Sequence, residues 1–130
     1  MLTAMSTSNA PVAVGPFSQA IKVGQLLFVS GQLPIDPATG EIVSEDPVLQ
    51  LRQCLKNISA IAAEAGTDLA TTVKTTVLIT DMSRFGALND EYATFFKAPF
   101  PARACFEVSA LPKGAQVEVE AVLALYGSDE

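Results

Sequence analysis

From Ala102 to Ser109 apolar and polar positions alternate one for one. Ala102, Ala104, Phe106 and Val108 fall on one face of an extended strand, and Arg103, Cys105, Glu107 and Ser109 on the other. A second alternating stretch sets Val117, Val119, Ala121 and Leu123 against Glu118 and Glu120, which share their side with Val122 and Ala124. Ser18 to Val23 and Leu26 to Ser30 read as strands joined at Gly24-Gln25, and the β-branched run Val73 to Thr80 as a further strand. Between Asp46 and Gly66 the period becomes helical. Leu51, Cys54, Leu55, Ile58, Ile61, Ala62 and Ala65 recur at helical spacing. The helix takes Asp46 as N-cap and Pro47 at its first position, runs to about Ala65 and is closed by Gly66. A second helix, capped by Asp81-Met82-Ser83 and running to about Phe96, buries Phe85, Leu88, Tyr92 and either Phe95 or Phe96. Pro34 to Gly40 is a turn or loop, Lys97 to Pro99 a short connector, and Ser109 to Gln116, with Pro112 and Gly114, a turn. The pattern predicts one α+β domain over residues 1–130, with Gly127 to Glu130 as a frayed tail.

If the Arg103 and Glu118 strands share a sheet, one guanidinium and the carboxylates of Glu118 and Glu120 meet on one surface. That pattern suits a small anionic substrate and a water to be activated. It suits an outward, solvated strand face equally well, and alternation alone leaves both readings open. Asn89, near the apolar stripe of the second helix, is either a ligand contact or a solvated helix residue. Gly15-Pro16-Phe17 forms a rigid turn, and in Ser30-Gly31-Gln32 the glycine leaves its backbone open to close approach. Both segments read as simple turns or, at the strand end, as a place to hold a small polar ligand.

The absence of histidine narrows the chemistry. Ser-His and Cys-His nucleophilic pairs are excluded, as are histidine-bearing zinc sites, and two distant cysteines cannot make a thiolate zinc site. Cys54 belongs to the helical core stripe, and Cys105, close to Arg103, could be a partly activated thiol, although nothing in the sequence shows that it attacks anything. Net charge is −6, and the eight basic residues are scattered from Lys22 to Lys113 without a run. That argues against nucleic acid, which needs a clustered positive footprint, and against anionic membrane surfaces. No window supplies the ~20 apolar residues of a membrane span. Met1 to Ala10 lacks the basic residue and apolar core of a secretory signal, so a cytoplasmic location is expected and a Cys54–Cys105 disulfide is not. A hydrophobic share of 49% with mean hydropathy +0.35 predicts apolar surface given over to subunit contacts.

Five motifs occur in order: Gly15-Pro16-Phe17-Ser18-Gln19-Ala20, Val29-Ser30-Gly31-Gln32-Leu33-Pro34, Lys74-Thr75-Thr76-Val77, Phe100-Pro101-Ala102-Arg103 and Val117-Glu118-Val119-Glu120-Ala121. With them the chain resembles the Rid (YjgF-like) family, and within it the RidA-type enamine/imine deaminases, from about Asn9 to Leu125. The resemblance implies a chorismate-mutase-like α+β fold, a mixed β-sheet with two helices on one face, assembled as a homotrimer with clefts between subunits. It implies hydrolysis of 2-imino and enamine acids (2-iminobutanoate, 2-iminopropanoate) to 2-oxo acids and ammonia, with no cofactor and no metal. The alternative within the same fold is a non-enzymatic, metabolite-binding or chaperone-like trimer.

By position in those motifs, the resemblance implies that Arg103 grips the substrate carboxylate through its planar fork and that Glu118 holds and deprotonates the attacking water. Ser30, the Gly31 backbone and Cys105 would line the site near the imine, and Asn89 falls where the family has a cleft asparagine. Phe17 stands where many members carry tyrosine, which keeps an aromatic wall and removes a hydroxyl. The connector Lys97 to Pro99 is shorter than in typical members. A tight hairpin between Ser109 and Gln116 would set Glu120 opposite Cys105, whereas family position gives the water to Glu118.

Overall fold

The computed structural model describes residues 1–126. Among these described residues eight strands and two α-helices follow in the order β1 (Thr3–Met5), β2 (Ala20–Val23), β3 (Leu26–Gln32), β4 (Ile35–Asp36), β5 (Glu41–Ile42), α1 (Pro47–Glu64), β6 (Thr72–Ile79), α2 (Phe85–Ala93), β7 (Ala102–Glu107) and β8 (Val117–Ala124). Six of the strands form one sheet in the order β1-β2-β3-β8-β6-β7, and β4 and β5 pair separately. Every pairing is antiparallel except β6 with β7. Parallel neighbours need a crossover, and α2 lies within it.

The first helix follows its sequence signals. The Asp46 carboxylate accepts the Val48 amide at 2.9 Å, and Pro47 opens the helix. At the other end Gly66 takes φ +84°, Gly66 N donates to the Ala63 carbonyl and Thr67 N to that of Ala62. This paired closure needs a left-handed residue, which glycine supplies without strain. Leu51, Cys54, Leu55, Ile58, Ile61 and Ala62 are at most 1% exposed and pack on the sheet against residues such as Leu27, Val29, Val119 and Leu123, while Ala65 is only partly covered. Burying each large side chain contributes roughly 1.5–3 kcal/mol.

Four expectations are corrected. The segment Pro34 to Gly40 is not plain loop, because Ile35 pairs with Ile42 and Asp36 with Glu41. The Asp36 carboxylate and carbonyl accept the Ala38 and Gly40 amides, and the Asn57 side chain ties Leu33 and Ile35 to α1. The second helix is shorter than its apolar stripe. Asp81 caps a 3₁₀ turn at Met82–Arg84 first, and after Ala93 the Thr94 and Phe95 amides tighten onto carbonyls three residues back. The first strong hairpin starts at Ala20 rather than Ser18, because the Gln19 side chain is committed elsewhere: its amide bonds Thr7 N and the carbonyls of Thr7, Ala10 and Pro11. Finally, Thr3–Met5 adds an edge strand too short to leave a pattern. The tail expected at Gly127 to Glu130 lies outside the described residues.

Both helices cover one face of the sheet, as expected. The other face is bare, with Phe28, 45% exposed, beside Ile21, Thr76 and Val122, and Phe106, 55% exposed, on the β7 edge next to Leu78. Among the described residues every buried side-chain nitrogen and oxygen has a hydrogen-bond partner, and no helix is long and apolar enough to cross a membrane.

Candidate active site

Arg103 sits under α2. In the parallel β6–β7 register it pairs with Thr75, and Cys105 pairs with Val77, so both side chains share the helix-covered face with two buried residues. One guanidinium nitrogen, Nη1, donates to Asn89 Oδ1 at 2.7 Å. The guanidinium carbon lies 4.9 Å from the Tyr92 ring centroid and 5.4 Å from that of Phe85. Residues 85, 89 and 92 occupy one face of α2, which explains why all three reach the same cation. An open cavity of about 380 Å³ adjoins Arg103, walled by Ala93, Phe100 and Pro101. Asn89 is therefore no solvated bystander.

Cys105 lies deeper on the same side. Burial pushes its thiol above the usual range, and the nearby Arg103 charge offsets only part of that rise. The proximity of Arg103 thus does not activate the thiol. The Cys54 thiol is pushed up by complete burial and points its sulfur at the Val117 carbonyl, 3.7 Å away.

Glu118 belongs to a second constellation. Between β3 and β8 the register shifts: Val29 pairs with Ala121 and Gln32 with Val119, so Ser30 and Gly31 together face Glu120. This bulge turns Gly31 toward Glu118. A methyl group on Gly31 would stand 2.6 Å from Glu118 Oε2 and 2.9 Å from its carboxyl carbon, so the carboxylate occupies the space a larger residue would fill. Burial, with the charge of Glu120 second, raises the Glu118 pKa above the usual carboxylate value. The Ser30 hydroxyl donates to the Ser18 carbonyl at 2.5 Å, and Ser30 N to the Gln19 carbonyl at 2.9 Å. Gln50 Oε1 accepts the Gln116 amide at 2.8 Å and so fixes the start of β8. Glu120 is exposed and lies near Lys74 and Thr76 on the bare face. Phe17, 52% exposed, packs its ring over Gly15 in the segment that carries the Ser18 carbonyl.

The expected meeting of Arg103 with Glu118 and Glu120 on one surface does not occur within a chain. Thr75 pairs with Arg103 on one side and Ala121 on the other, so this row faces the helices. Glu118 pairs with Leu78, and Glu120 with Thr76, one position out of phase and therefore on the bare face. The hairpin arithmetic between β7 and β8 also falls away, because β6 lies between them and runs parallel to β7. Cys105 is level with Val119, not with either glutamate. Sequence reasoning placed Phe85 and Tyr92 in the core and overlooked their contact with Arg103. The signal was present in Phe85, Asn89 and Tyr92, spaced to share one helix face.

The chain and its architecture have many counterparts. The family model described as endoribonuclease L-PSP matches residues 7–125. The RutC family protein y4sK of Sinorhizobium fredii is 66% identical over 96% of this chain and 99% of its own. The 2-iminobutanoate/2-iminopropanoate deaminase of Mus musculus is 46% identical over 91% of this chain and 87% of its own. The crystal structure of the Rid-family protein YyfA from Yersinia pestis, of unknown function, superimposes with a TM-score of 0.93 at 49% identity, over 95% of this chain and 99% of that one. A model match across most of the chain, close relatives of nearly equal length and a shared fold together place it: the chain belongs to the Rid family, whose model bears the description endoribonuclease L-PSP.

Proposed function

We propose that this protein hydrolyses small 2-imino acids, such as 2-iminobutanoate and 2-iminopropanoate, to 2-oxo acids and ammonia, in clefts built between copies of the chain in a homotrimer. The observation that carries the reading is the Glu118 carboxylate, packed against Gly31 with its pKa raised, on the opposite face of the sheet from a guanidinium held by Asn89. A base and a carboxylate grip that cannot meet in one chain can meet when the bare sheet face of one copy approaches the Arg103 edge of the next. The exposed Phe28 and Phe106 favour such burial. Arg103 holds the substrate carboxylate with its remaining donors. Glu118 takes a proton from water, whose oxygen bonds to the imine carbon as the C=N π electrons pass to nitrogen. Glu118 then gives that proton to the nitrogen, which leaves a carbinolamine; the carboxylate next carries the new hydroxyl's proton to the amine, the C–N bond breaks with its electrons going to nitrogen, ammonia leaves and the carbonyl forms. A carboxylate of raised pKa suits both transfers, which favours Glu118 over the exposed Glu120. Ser30 and Cys105 line the reacting centre, and Phe17 supplies an aromatic edge. The family description offers RNA cleavage as a second reading, but a chain of net charge −6 without histidine has neither the basic footprint nor the usual acid–base pair for it.

The test couples the protein to a threonine dehydratase that generates 2-iminobutanoate, and follows ammonia and 2-oxobutanoate. Release well above the spontaneous rate, from a particle of about three times the 13.6 kDa chain mass by light scattering, is the expected result. A stable trimer that leaves the spontaneous rate unchanged favours the binding-protein alternative, and a monomer overturns the shared cleft.

A further inference from the structure

We infer that Tyr92 is a positioning residue that holds the Arg103 guanidinium in a fixed plane. This rests on the reading of Arg103 as the carboxylate grip. The inference comes from a closed circuit of contacts. Arg103 and Thr75 are paired neighbours on β7 and β6. Thr75 is 1% exposed, and its hydroxyl lies 2.7 Å from that of Tyr92. The Tyr92 ring in turn lies under the guanidinium at 4.9 Å. The backbone of Arg103 and the plane on which its far end rests are thus referred to the same residue, Thr75. Phe96 packs on the Tyr92 ring at 4.8 Å between centroids, so the ring is held from its hydroxyl end and from its side.

A long arginine side chain has many rotamers, and it gives up that freedom on gripping a ligand unless it is held beforehand. Asn89 fixes one nitrogen, Nη1, and leaves rotation about that bond. The Tyr92 face removes that rotation, so the rest of the fork stays directed at the cavity beside Phe100 and Pro101. Tyr92 also lines that cavity, so the ligand-free signals of Arg103, which no ligand contact can affect, carry the test of its action through the guanidinium. A purely structural Tyr92 would fill the core and set stability, leaving the guanidinium indifferent to its ring.

The experiment compares Tyr92→Leu, Tyr92→Met and Tyr92→Phe with wild type in the full-length assembly. The first readout is ligand-free nitrogen-15 NMR of the Arg103 guanidinium, assigned with Arg103→Lys. Separate Nη signals are expected in wild type and Tyr92→Phe, and averaged signals in the two ringless variants. The second is calorimetric affinity for 2-oxobutanoate. It should fall about tenfold without the ring, equivalent to ~1.4 kcal/mol. Tyr92→Phe loses the tie to Thr75 but keeps the ring face and its packing on Phe96, and should stay within about threefold of wild type. Unchanged Arg103 signals and affinity in a folded ringless variant overturn the inference, as does an equal loss in Tyr92→Phe. Two ringless variants guard against one failing to fold. A wild type that binds the oxo acid but hydrolyses no imine refutes the proposed reaction and leaves Tyr92's role standing, because neither readout requires turnover.

Discussion

Gly31→Ala is the sharpest perturbation the fold offers. The added methyl would meet Glu118 Oε2 at 2.6 Å, where ordinary contact begins near 3.4 Å, so the oxygen must retreat by about 0.8 Å (3.4 − 2.6). Gly31 is not among the glycines of positive φ, so alanine meets no backbone strain there. The clash is with a side-chain tip, and turning that tip aside costs about 1 kcal/mol at the low end of overpacking. Restricting the unfolded chain offsets part of this, by about 0.4–1 kcal/mol. Stability should therefore change by less than about 2 kcal/mol. Catalysis should change much more, since misplacing a catalytic group by about 1 Å costs on the order of a hundredfold. Steady-state kcat/KM on 2-iminobutanoate, generated in situ, measures one quantity, and thermal unfolding the other. A variant within about threefold of wild-type kcat/KM would refute the claim that the Gly31 gap sets the position of the base. A large loss of Tm would show that backbone, not carboxylate, had to give way.

Glu118→Gln should lower kcat yet raise Tm at pH 7. A carboxyl whose folded pKa is raised costs nothing below its unfolded pKa, near ~4.3, and loses the fold stability as pH rises through the folded value. The Tm gain should therefore vanish below about pH 4, and an equal gain at both pH values would contradict the assigned cause. Arg103→Lys keeps the charge but loses the planar fork, and should reduce kcat/KM about a hundredfold while 2-oxobutanoate binds more weakly by calorimetry. Cys105→Ser should keep activity within about threefold, and mass spectrometry during turnover should find no thiol adduct, because burial keeps that thiol protonated.

Much of this fold was legible because its signals are local. The Asp46-Pro47 start, the Gly66 stop, the alternation of Val117 to Leu123 and the Gly24-Gln25 turn each act within a few residues, and the structure repeats them. The sheet order was not legible, because β7 pairs in parallel with β6 across a helical crossover and nothing local encodes that choice. The candidate site inherits the same division. Arg103, Asn89, Glu118 and Gly31 stood out by residue type and motif. Their sorting onto opposite faces depended on a half-period offset between strands that never touch. The end of α2 was misjudged because aromatic spacing continues through Phe95 and Phe96 after the helical hydrogen bonds have tightened.

The two-faced sheet has a genetic consequence. If each cleft takes its guanidinium from one copy and its carboxylate from another, no chain owns an active site. Two inactive alleles, one lacking Arg103 and one lacking Glu118, would then complement each other. In randomly mixed trimers each cleft draws its halves from two chains independently, so about one quarter of clefts should carry both. Coexpression of the dead pair would restore measurable ammonia release, whereas two alleles damaged in the same half would restore none. A single null allele beside a healthy one would disable about half the clefts rather than whole trimers, and so would behave as recessive wherever half the activity suffices.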